Sequence, residues 1–157
     1  MVAAVAPRLK SANIGLKGNL MATLKLEIVT PDKSAFQGEV HSVVIPASEG
    51  EMEILPMHIA LVTRITPGEL VISKEGRKDY LAVGEGFVTV VQDTVNVLTD
   101  MAIERENIDE GAAEAAVRRA QGALAGHQAL GPEEAAAIHA SLARSLAQIR
   151  VKRRPGR

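Results

Sequence analysis

A chain of 157 residues with 46% hydrophobic and 24% charged positions can bury one ordinary domain with an appendage, and this balance is that of a globular protein rather than a disordered one. Aromatic residues make up only 2%, so the core must be aliphatic, and the absence of cysteine excludes disulfides, thiolate metal sites and cysteine nucleophiles together. No apolar run approaches the roughly 18–20 residues of a membrane span. The net charge of −1 hides an uneven distribution: residues 1–20 contain no acid, the middle is acidic, and Arg150, Lys152, Arg153, Arg154 and Arg157 crowd the end. Such a tail attracts phosphate, anionic lipid and acidic protein surfaces alike, so charge alone selects no partner and gives no reason to invoke nucleic acid.

Residues 1–21 lack any clear period and scatter Gly, Pro, Ser and Asn. They read as a disordered extension, with Met21-Ala22-Thr23 resembling a second start. Pro7, Arg8 and Lys10 interrupt any secretory apolar core, and the segment is too weakly amphipathic to favour an organelle transit peptide. From Leu24 the pattern turns to period two. Leu24, Leu26 and Ile28 alternate with Lys25 and Glu27, and Pro31-Asp32 closes the run. The same pattern recurs to Thr99, with turn signals about every 8–12 residues, the spacing of a sandwich or barrel rather than of βαβ units. Residues 22–105 are therefore expected to form one domain of about ten antiparallel strands in two sheets.

Between two β-branched runs lies Glu49-Gly50-Glu51-Met52-Glu53-Ile54-Leu55-Pro56-Met57-His58, read as a turn and short strand. Glu49, Glu51 and Glu53 cannot all be buried unpaired, so this stretch is expected to be an exposed acidic tip. After Met101 the pattern becomes helical over residues 106–150. Asn107 with Glu110 suggests an N-cap and a carboxylate three residues on, followed by a stripe of Ala113, Val117, Ala120 and Leu124 ending near Gly126-His127. Pro132 opens a second helix with the stripe Ala135, Ile138, Leu142, Leu146 and Ile149. Joined by so short a link, the two form an antiparallel αα-hairpin, followed by a basic tail over 151–157. Its many alanines bury little area, so weak attachment to the β-domain is expected.

Catalytic constellations are weak. Gly84-Glu85-Gly86 is not a dinucleotide fingerprint, since Thr89 replaces the third glycine and a strand follows. His41, His58, His127 and His139 are dispersed, without the paired spacing of metal ligands, which argues against a metal-dependent barrel enzyme. A free-standing β-sandwich binding module with a helical tail is the alternative reading. It would want exposed aromatic platforms, and the chain offers only Phe36, Tyr80 and Phe87.

Taken in order, Leu26-Glu27-Ile28-Val29-Thr30-Pro31, Phe36-Gln37-Gly38-Glu39-Val40, Glu49-Gly50-Glu51, Ile54-Leu55-Pro56 ending at His58, Pro67-Gly68, Gly84 to Phe87 and Val95-Asn96-Val97-Leu98-Thr99-Asp100 resemble the epsilon subunit of bacterial F-type ATP synthase. The resemblance covers nearly all of the chain after Met21. It implies a ten-stranded sandwich and helical hairpin seated on the gamma subunit in the central stalk. It also implies a non-catalytic rotor subunit, held on the cytoplasmic side of the cell inner membrane only through its complex. Glu51 and His58 would face the rotor ring of c subunits. Arg144, Arg150, Lys152, Arg153 and Arg154 would meet acidic surface on the catalytic beta and alpha subunits, where the hairpin restrains ATP hydrolysis. Some members bind ATP through Ile-Asp-x-x-Arg-Ala where the first helix begins. Here Ile108 and Asp109 match, but Ala112 replaces the arginine, so no cofactor is assigned. Glu53 and Met57 stand where the family has glycine, and a positive φ at either would strain it.

Overall fold

Leu24, Leu26 and Ile28 of β1 (Leu24–Val29) point inward and are almost wholly buried, so the alternation read from sequence is the alternation of the strand. In the computed structural model residues 22–126 and 130–155 are described; the extension expected at 1–21, His127 and Arg157 lie outside the described residues. β2 (Ser34–Val40), β3 (Ser42–Ala47), β4 (Gly50–Ile54), β5 (Leu61–Ile65), β6 (Gly68–Lys74), β7 (Arg77–Val83), β8 (Gly86–Val91), β9 (Thr94–Thr99) and β10 (Ala102–Glu104) complete ten strands.

Hydrogen bonding runs in the order β10-β7-β6-β3-β5-β8-β9-β1-β2, with β4 added on β3. β3 therefore joins the two leaves of the sandwich: Ser42 to Val44 pair with β6, while Ala47 pairs with Ile65 of β5. The expectation of two separate sheets becomes one bent, nearly closed sheet. Contact at that bend is close. A Cβ on Gly68 would meet the Pro46 ring at 2.7 Å, which accounts for glycine after Pro67. The expectation of antiparallel strands throughout needs one correction, because β1 runs parallel to β9. No short turn joins these strands, so their direction is set by matching apolar faces, Leu26 beside Val95 and Ile28 beside Val97.

Both leaves turn aliphatic side chains into one core that includes Leu24, Leu26, Ile28, Val43, Ile45, Ile54, Ile65, Leu70, Ile72, Val88 and Val97. Fully burying each such side chain contributes about 1.5–3 kcal/mol, enough to define the domain without aromatics.

A 3-10 turn (Arg105–Asn107) leads to α1 (Glu110–Gly126), and α2 (Pro132–Lys152) returns along it. Three sequence expectations are corrected here. Asp109, not Asn107, caps α1: its Oδ1 accepts the Ala112 N–H at 3.0 Å, while Asn107 is taken up in the 3-10 turn and donates to Glu104. In α2 the side chains most buried are Ser145, Ala147 and Val151, whereas Leu146 of the expected stripe stays 46% exposed. The helix faces two surfaces, α1 and the β6–β7 strands, so its buried positions do not follow a single stripe. It also runs to Lys152, beyond the boundary at 150 expected for the hairpin.

Candidate functional site

The outer faces of the two leaves differ. On the β6–β7 side, Glu69, Val71 and Ala82 should face water by alternation, yet all three are buried because the end of α2 lies against these strands. Ala82 packs with Ile108 and Val151 there, flanked by Tyr80, Met101 and Ile103. Polar ties surround this small apolar contact. Arg144 bridges to Asp100 at 2.7 Å, Arg154 to Glu69 at 3.0 Å, and Arg153 binds Glu110 and Glu114 of α1. Lys152 Nζ donates to the carbonyls of Arg105 at 3.2 Å and Glu106 at 3.4 Å. Arg154 also stacks on Tyr80, its Cζ 4.8 Å from the ring centroid.

On the opposite leaf nothing within the described residues covers the outward side chains of β5, β8 and β9. Val62 is 71% exposed, and Phe87 and Leu98 are each 54% exposed. The register sets Phe87 directly beside Leu98, with Val29 next in the same row, and Val62 and Val91 also project from this leaf. Large apolar side chains grouped on one sheet face mark an interaction surface rather than ordinary scatter. Composition alone did not reveal it, but Phe87-Val88-Thr89-Val90-Val91 is apolar at both parities of a strand that period two would leave half polar.

The acidic stretch is exposed at Glu49, Glu51 and Glu53, as expected of a solvated tip. Glu51 and His58 are not brought together. Glu51 lies opposite Pro46 near the β3–β4 turn, whereas His58 follows the far end of β4, with its Nδ1 2.8 Å from the Ile59 carbonyl oxygen. Met57 takes φ 66° at that far turn, while Glu53 is extended strand. Asp93 holds the Met57 conformation by accepting its N–H at 2.7 Å, which ties this turn to the β8–β9 connection beside Val91.

Of the basic residues singled out from sequence, Arg144, Lys152, Arg153 and Arg154 are engaged within the chain, and Arg150 is exposed near Glu69. Ile108 and Asp109 serve the fold, one buried under Val151 and the other capping α1. Among the described residues no three His, Asp or Glu side chains are grouped as a metal site would require, and no helix is long and apolar enough to cross a membrane.

A sandwich clasped on one face by its own helical hairpin and bare on the other defines a class of assembly subunit. Residues 23–105 match the family model described as the ATP synthase delta/epsilon chain, beta-sandwich domain. The chain is 44% identical over 132 residues to the ATP synthase epsilon chain of Dehalococcoides mccartyi, covering 83% of this chain and 93% of that one. It is 40% identical over 141 residues to the Bordetella avium epsilon chain, covering 87% and 98%. Among solved structures it is similar to a chain of the Euglena gracilis mitochondrial ATP synthase OSCP/F1/c-ring assembly, with TM-score 0.69, 25% identity and coverage of 92% and 88%. The fold is also that of a chain in the Tetrahymena thermophila central stalk/c-ring structure, with TM-score 0.58 and 12% identity over 82% and 96%. The chain belongs to the ATP synthase epsilon chain family. It is a subunit of that rotary complex, and its role is in the central stalk.

Proposed function

We propose that the bare face of Val62, Phe87, Val91 and Leu98 seats this chain on the gamma subunit. The sandwich thereby turns with the rotor while the α2 face stays free to rearrange. The observation that carries this reading is the asymmetry of the two leaves: one outer face is covered by the chain's own helix, and the other presents large apolar side chains to solvent. The chain itself performs no catalysis and transmits torque between the ring of c subunits and the catalytic head of alpha and beta subunits. It sits peripherally on the cytoplasmic side of the inner membrane through those contacts. The acidic tip at Glu51 and the turn at His58 are the proposed ring contacts. Because they lie at opposite ends of β4, they would meet different parts of the ring or of its neighbours.

In this reading the hairpin restrains ATP hydrolysis when it leaves the sandwich. Arg144, Lys152 and Arg154 must first give up their present partners outside the hairpin, so these cations hold the hairpin down and, with Arg150 and Arg153, would hold it against acidic surface on the catalytic subunits. No cofactor is assigned. Reconstitution into an ATP synthase depleted of its own epsilon subunit tests the reading. The full chain should restore ATP-driven proton pumping, and a chain ending at Gly126 should restore pumping with faster ATP hydrolysis. Equal hydrolysis rates with the two chains would eliminate the restraining role and leave only the structural one.

A further inference from the structure

We infer that Glu69 and Arg154 form a proton-dependent latch, in which the end of α2 stays on the sandwich more firmly when the Glu69 carboxyl is neutral than when it is ionised. Glu69 is only 8% exposed, on the outer face of β6 beneath the last turn of α2. One carboxylate oxygen lies 3.0 Å from Arg154 Nη1 in an ion pair, and Oε2 has no hydrogen-bond partner among the described residues. A single ion pair with a guanidinium that is itself 43% exposed and shared with the Tyr80 ring is a thin match for a buried charge.

The groups facing the carboxyl come from every neighbouring element. Arg154 and Arg150 of the α2 end favour its ionised form, Glu51 of β4 opposes it, and Tyr80 of β7 engages the same guanidinium. The carbonyls at the carboxyl end of α2 also disfavour an anion there. Burial is the largest of these influences and lifts the Glu69 carboxyl above the usual glutamate range, with Arg154 pulling it back only in part.

The sign of the linkage follows. Lifting α2 returns Glu69 to water and to its ordinary proton affinity, so the docked state binds the proton more readily than the released state. Docking is therefore favoured on the acid side and weakens as pH rises from the ordinary carboxyl value of 4.5 through the raised docked value. An isolated surface ion pair would behave in the opposite sense, being lost in acid. Arg144 with Asp100 and Arg153 with Glu110 and Glu114 do pull that way, so the Glu69 contribution is read by difference.

The chain has no cysteine, so cysteines placed at Lys78 and Pro155, which line one groove, can carry the only pair of spin labels. Distances in the full chain are recorded from about pH 4 to 8, a range spanning the carboxyl values. Glu69→Gln keeps an oxygen for Arg154 and mimics the protonated state. It should match the unsubstituted chain in acid and show a larger docked-to-released ratio near neutral pH. Arg154→Gln should reduce docking at neutral pH and steepen the gain on acidification. Coincident profiles for Glu69→Gln and the unsubstituted chain, or weaker docking by the glutamine at neutral pH, would overturn the latch. Any regulatory use of the latch rests on the proposed mobility of the hairpin, but the measurement involves no ATP hydrolysis and stands or falls separately from it.

Discussion

Met57 and Glu53 show how much a single position can conceal. Both stand where the resemblance places glycine, and sequence cannot say which glycine was needed for its backbone. The structure separates them: Met57 has φ 66°, a region costing an ordinary residue roughly 1–3 kcal/mol, while Glu53 is an extended residue of β4 paired with Val44. Met57→Gly should stabilise the chain by a few tenths to about 1 kcal/mol, once the greater freedom of glycine in the unfolded state is set against the relieved strain. Glu53→Gly should destabilise it by about 0.5–1 kcal/mol for the same entropic reason with nothing to offset it. Thermal unfolding reads the difference at about 2–4 °C per kcal/mol for a chain of this size, and a lower midpoint for Met57→Gly would show that no strain is relieved there. Glu69 was invisible at this scale. In sequence it is one more acid after Pro67-Gly68, and only the helix above it makes it a buried charge.

Elements were more legible than the faces they present. The β1 alternation, the Pro132 start of α2 and the α1 stripe of Ala113 and Ala120 are all visible in sequence, because each depends on local periodicity. The α2 stripe and the α1 cap were misplaced, since both depend on what lies alongside. A Leu at 146 looks like core, yet it is Ser145, Ala147 and Val151 that are buried, Val151 against Ala82 and Ile108, and Leu146 is turned outward. Val151→Ala should therefore cost about 2 kcal/mol, from two buried methyl groups and the gap they leave, and Leu146→Ala should cost less than about 0.5 kcal/mol. At the other helix, Asp109→Ala should cost about 1 kcal/mol and Asn107→Ala well under half of that. Chemical denaturation measures all four. Equal losses at Val151 and Leu146 would mean that α2 does not dock on β6–β7 as described.

For the whole molecule, the ten-strand sandwich and hairpin were readable because turn signals, period and motif order agreed. How the leaves join was not. The crossing of β3 between leaves and the parallel pairing of β1 with β9 are long-range choices made by face matching, which no local window records. The bare face was hidden for a related reason: Phe87 and Leu98 count as core in any hydropathy reading, and their outward direction emerges only from register with Val88 and Val97 inside. Most of the binding energy of such a face is expected from a few central side chains, each worth about 2 kcal/mol or more, or roughly thirtyfold in affinity. The decisive measurement is co-purification of tagged chain with the gamma, alpha and beta subunits from membranes in mild detergent, comparing the unsubstituted chain with Phe87→Asp and Leu98→Asp variants of unchanged circular dichroism. The unsubstituted chain should bring gamma and the catalytic subunits with it and each variant should lose most of them; equal recovery by all three would contradict docking through this face.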